Sequence, residues 1–134
     1  MRANGVKREL KVLKTLERVA QQIDVEEEEG LFGGPDDPLG VLADRLAEEI
    51  IAEQQEHHLP LKSVRVAKAD LPEEEEDGLE IGFYLNLACG PEEAFKWLKR
   101  LSVREHEMAM SLPEKERKLF NHTFRIGIRW AKGS

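Results

Sequence analysis

Apolar residues recur at steps of three and four through the first stretch of the chain, at Val6, Leu10, Leu13, Leu16, Ala20 and Ile23. That period predicts an amphipathic helix from about Asn4 to Ile23. At about 100° per residue, Lys7, Lys11, Lys14 and Arg18 gather on the opposite flank as a basic stripe. The period is then lost: Glu26 to Glu29, Gly30, Gly33, Gly34 and Pro35 predict a mobile acidic linker over residues 24–38. A second helix follows, with Asp37 expected as N-cap and Pro38 at the first helical position. Leu39, Leu42, Ala43, Leu46 and Ile50 form its apolar face, Asp44, Glu48 and Glu56 lie off it, and Pro60 ends it near His57 or His58.

The period then changes from helical to alternating. Residues 62–69 read as a strand with Val64 and Val66 on one face, followed by an acidic turn over residues 70–77. Leu79 to Cys89 gives the clearest strand, since Leu79, Ile81, Phe83, Leu85, Leu87 and Cys89 alternate with a semi-polar set. Gly90, Pro91, Glu92 and Glu93 open a helix that buries Ala94, Trp97, Leu98 and Leu101 and extends to Met108 or Met110. Leu112-Pro113-Glu114 starts a short helix through Phe120, and residues 123–131 alternate again with Phe124, Ile126, Ile128 and Trp130 inward.

The predicted order is thus α-α-β-β-α-(α)-β across residues 1–134, a single α+β domain. The expected architecture is a small three-stranded, mainly antiparallel sheet with helices packed on one face. Its first two strands pair around the acidic turn, and the place of the third is open. Two free sheet edges invite pairing with another chain.

Charge refines this picture. The 134 residues carry a net charge of −7, but residues 1–23 sum to +4, 24–58 to −11, 59–90 to −4 and 91–134 to +4. The chain is basic at both ends and acidic between, an asymmetry that can mark an interaction surface or be answered within one domain. No apolar run reaches the roughly 20 residues of a membrane span, and the charged start has no apolar stretch of a signal peptide after it. With its lone Cys89, the chain is expected in the cytoplasm, away from membranes. Charged residues make up 35% while Asn and Gln number seven, a balance compatible with a thermophilic source.

Candidate chemistry is sparse. His57 and His58 are adjacent, His106 lies between Glu105 and Glu107, and His122 opens the last strand, so no pair has the i, i+4 spacing of a helical metal site. His57 is expected to pack at the edge of the core. Cys89 alternates with Leu87 and Leu85, which reads as a small buried hydrophobe rather than a nucleophile. The acidic runs lack the spacing of a calcium loop, and no phosphate-binding glycine motif is present. The sequence therefore gives no catalytic, cofactor or metal residues.

Two surfaces remain. One is the stripe of Lys7, Lys11, Lys14 and Arg18. The other is the outer sheet face, where Arg65, Tyr84, Asn86, Thr123, Arg125 and Arg129 fall together with Glu80, Gly82, Ala88 and Gly127. There Gly82 and Gly127 are expected to let a helix or another subunit approach closely, and Glu80 to pair with Arg125 or Arg129. The leading expectation is a non-enzymatic protein-interaction domain, a homo-oligomer or subunit of a larger assembly. The alternative is a nucleic-acid-binding accessory protein using the sheet face and basic stripe, since a Tyr among arginines can stack bases. A small hydrolase or transferase built on Glu105, His106 and His122 is the third expectation.

Overall fold

The computed structural model describes residues 13–33, 36–69 and 80–130. The elements run α1 (Lys14–Val19), β1 (Asp24–Glu27), α2 (Pro38–His57), β2 (Leu61–Lys68), β3 (Ile81–Leu87), α3 (Pro91–Met110), α4 (Glu114–Thr123) and β4 (Phe124–Trp130). The α+β class stands, but the sheet differs from expectation. It has four strands in the order β1-β2-β3-β4, and it is mixed rather than mainly antiparallel: β2 and β3 form the antiparallel hairpin, while β1–β2 and β3–β4 are parallel. A helix between two strands carries the chain back to the end it started from, and α2 and the α3–α4 pair do this twice. The third predicted strand is now β4, placed beside β3.

The extra strand corrects the linker. Asp24–Glu27 pairs with Ser63–Val66, putting Val25 against Val64 on the core side. Its carboxylates hold backbone donors instead of only facing water. Glu27 Oε1 accepts the Leu13 N–H at 3.2 Å, and Glu28 Oε1 accepts the Lys68 N–H at 3.0 Å. Gly30 follows with φ 82°, a left-handed turn that its missing Cβ permits.

The helix predicted from about Asn4 to Ile23 is interrupted at Leu13 and ends at Val19, and its part before Leu13 lies outside the described residues. Leu13 is extended, with ψ 98°, so α1 begins only at Lys14. Lys7 and Lys11 lie outside the described residues. Asp44 of α2 caps α1: its Oδ1 accepts the Thr15 N–H at 3.0 Å and its Oδ2 the Thr15 hydroxyl at 3.1 Å. This gives Asp44 a tertiary role that its place off the apolar stripe did not suggest. Asp37 makes no side-chain cap on α2; its Oδ2 instead accepts the Gly33 N–H at 2.9 Å and closes the preceding turn.

The core lies between one face of the sheet and the helices. Val64, Val66, Ile81, Phe83, Leu85, Leu87 and Phe124 line the sheet side, and Leu16, Leu42, Leu46, Ile50 and Leu101 the helical side. Phe83 meets Phe124 edge-on at 6.2 Å, and Phe120 stands 5.6 Å from Phe124, which ties α4 to the start of β4. Packing Leu13, Leu16 and Val19 of the first segment into this core holds α1 beside α2 and β1.

Candidate functional site

The outer sheet face is set by register. Arg65 of β2 pairs with Tyr84 of β3, Tyr84 with Gly127 of β4, and Asn86 with Arg129, so these side chains emerge on the side away from the core. The tyrosine ring lies across this surface. A Cβ built on Gly82 would sit 2.4 Å from Tyr84 Cζ, and one on Gly127 would sit 3.0 Å from Cδ1. The two glycines therefore make a bed for the Tyr84 ring. The described part of α1 packs with α2 and β1 rather than on these glycines.

Around the half-buried ring, Arg65, Lys68, Ala69, Asn86 and Arg129 complete a concavity of about 360 Å³. Arg65 faces Glu26 at 3.7 Å, with both side chains well exposed. Asn86 Nδ2 donates to Ser63 Oγ at 2.8 Å, which fixes the amide. Arg125 is engaged elsewhere: it pairs with Glu80 at 3.2 Å, as one of the two expected cross-strand pairs, and donates to the Asn121 and Phe124 carbonyls. Lys68 and Arg129 make no ion pair among the described residues. The face thus joins Arg65, Tyr84, Asn86 and Arg129 in one place, with Arg125 at its margin. Of the stripe, Lys14 and Arg18 are exposed on α1, one turn apart.

β4 is a sheet edge, and nothing among the described residues pairs with its outer side. On its core-side face Trp130 is 40% exposed and touches Phe95 of α3, which is 60% exposed, with ring centroids 5.7 Å apart. Ile126 and Ile128 are half-buried beside them. The alternating pattern places Trp130 inward; at the end of β4 the core has thinned, so its ring reaches solvent.

The residues of the hydrolase expectation converge only in part. Ser102, Glu105, His106, Asn121 and Arg125 line a hollow of about 310 Å³, but His122 is not in its wall. Burial pushes the Glu105 carboxyl up, opposed by the charge of Arg125. No hydrogen bond links Ser102, Glu105 and His106 among the described residues, so the base and nucleophile contacts that hydrolysis needs are not formed. Cys89 is half-buried; burial raises its thiol, and the Glu93 carboxylate raises it further, the opposite of an activated nucleophile. His57 is exposed in the last turn of α2, a correction to its expected packing, because the helix end projects beyond the core. Among the described residues no three His, Cys, Asp or Glu side chains are placed to hold a metal ion. No described helix is long and apolar enough to cross a membrane.

A hollow of about 640 Å³ between α2 and α3 holds an ion cluster that the sequence reading missed. Glu53, 2% exposed, accepts from Arg100 Nε at 2.5 Å and Arg104 Nη1 at 2.7 Å, and Arg104 Nε donates to Glu49 at 2.6 Å. Burial alone would raise the Glu53 carboxyl. The hydrogen bonds from Arg100 and Arg104, with the charges of Arg100 and His57, outweigh it and hold the group below the usual carboxylate range. The Glu49 hydrogen bond raises Arg104 in turn, against its partial burial, so the guanidinium stays charged. With every arm of the cluster satisfied, it reads as a clamp between helices rather than a ligand site.

Among the described residues the outer sheet face and the outer side of β4 stand uncovered, and the chain carrying them matches no family model, no curated protein and no solved structure.

Proposed function

We propose that this protein is a non-enzymatic interaction domain that pairs with a second copy of itself through β4. The observation that carries the reading is the exposed Phe95–Trp130 contact beside an edge strand whose outer side pairs with nothing among the described residues. β4 has seven residues, with no proline to interrupt a ladder. An antiparallel pairing centred on Ile128 sets Ile126 against Trp130 of the second copy and Gly127 against Arg129. That register joins the apolar faces and keeps arginines from standing opposite each other.

Sedimentation velocity up to about 200 μM tests it. The expected result is a dimer that Trp130→Ser and Phe95→Ser together dissociate at least tenfold, while far-ultraviolet circular dichroism stays unchanged. A strict monomer overturns self-association. An assembly indifferent to the double substitution overturns the β4 surface.

A second reading, binding of single-stranded nucleic acid, is favoured by a separate observation: a tyrosine laid flat on the open face between cationic side chains. Filter retention of single-stranded oligonucleotides at low salt, lost as salt rises, tests that reading.

A further inference from the structure

We infer that the Tyr84 ring is the stacking surface for one base of a single-stranded nucleic acid, with Arg65 and Arg129 taking the phosphates on either side of it. This rests on the nucleic-acid reading and names its contact. The ring is held flat because Gly82 and Gly127 lack the Cβ atoms that would lift it, so little ordering remains to be done when a base arrives. Stacking on a protein ring is open to every base because each has a π-face.

The charges are arranged to match. Arg65 and Arg129 stand on the strands flanking β3, Arg65 opposite Tyr84 and Arg129 opposite Asn86, so a diagonal of two strand spacings and two residues sets them about 12 Å apart. Lys68 adds a third cation to the same hollow. Glu28 accepts the Lys68 backbone N–H, and Glu26 is paired with Arg65 at 3.7 Å. An exposed pair of that kind is worth little, so a phosphate can take the guanidinium over. Asn86, held by Ser63, keeps an amide edge beside the ring. A cavity of about 360 Å³ suits one base, and its place on a sheet rather than in a closed pocket leaves a strand free to pass on either side.

The test is fluorescence anisotropy of fluorescein-labelled oligo(dT) ten nucleotides long, titrated with the full chain at 20 to 150 mM salt. Two or three neutralised phosphates predict a slope of log K on log salt of about −1.4 to −2.1. Tyr84→Phe should bind within twofold of the parent, and Tyr84→Leu about 5- to 100-fold more weakly, as loss of one stacked base predicts. Arg129→Gln, at an exposed site where folding is not at stake, should weaken binding and reduce the slope by about 0.7. Absence of saturable binding at 20 mM salt overturns both the nucleic-acid reading and this contact. Binding that Tyr84→Leu and Arg129→Gln leave unchanged keeps the reading and overturns the contact. Equal competition by poly-glutamate at matched charge overturns it as well, because a stacked base then contributes nothing.

Discussion

Replacing Glu53 with Gln should cost the fold about 2–3 kcal/mol. The carboxylate is 2% exposed and accepts two charge-assisted hydrogen bonds, at 2.5 and 2.7 Å. Such bonds are worth roughly 1.5–3 kcal/mol each, and removing one side of a buried pair costs about 3–5 kcal/mol. The cost falls to about 2–3 kcal/mol, just below that range, because Gln keeps one acceptor oxygen and the arginines are not trapped: Arg100 is 48% exposed and regains water, and Arg104 keeps Glu49. For 134 residues, an unfolding entropy of about 2.1 cal/mol/K per residue converts the loss into a fall of about 7–11 °C in Tm.

Urea unfolding followed by circular dichroism measures it, and pH supplies the check on mechanism. The folded carboxyl lies below its unfolded value of about 4.3, so its stabilising contribution is whole above that pH and is lost as pH falls through the lower folded value. The gap between parent and Glu53→Gln should therefore be constant from pH 7 to 5 and narrow below about pH 4.3. A gap under about 0.5 kcal/mol at pH 7 would refute the clamp, and one that persists unchanged into acid would refute its dependence on the charged carboxylate.

His58 ends α2 at φ 65°, the left-handed conformation that a side chain disfavours, so His58→Gly should raise stability by about 0.5–1 kcal/mol in the same assay; a loss would refute strain there. At Cys89, Glu93→Gln should speed labelling by a maleimide at pH 7, because Glu93 raises the thiol; an unchanged rate would leave burial as the sole cause.

Most of the secondary structure was legible because its signals are local. β3 alternates cleanly, and Pro38 and Pro91 mark the starts of α2 and α3. β1 was hidden because Asp24-Val25-Glu26-Glu27 has a single apolar residue and three poor strand formers. It forms from tertiary causes: Val25 lies over Val64, and Glu27 and Glu28 find backbone donors at Leu13 and Lys68. Leu13 misled in the other direction. Its spacing suits a helix, but the helical period cannot show that Asp44, 29 residues on from Thr15, supplies the cap that starts α1 there. The strand–helix–strand order implies that β4 runs parallel to β3 where the two are neighbours, but with β1 hidden and the place of β4 open it did not decide a mixed sheet.

The sheet face shows where such reading stops. Alternation put Arg65, Tyr84, Asn86, Arg125 and Arg129 on one side, since that depends only on the strand period, but it failed for Thr123, which ends α4 and is buried. What the glycines do depends on register, and parallel pairing is what sets Gly127 opposite Tyr84. A shift of one residue would turn every β4 side chain to the other face and place Ile126 or Ile128 opposite the ring. The buried alternation of Phe124 with Phe83 and Phe120 fixes that register. Core packing on one face of the sheet thus determines that a tyrosine on the other lies flat between arginines, a link that runs through the strands and that neither face discloses alone.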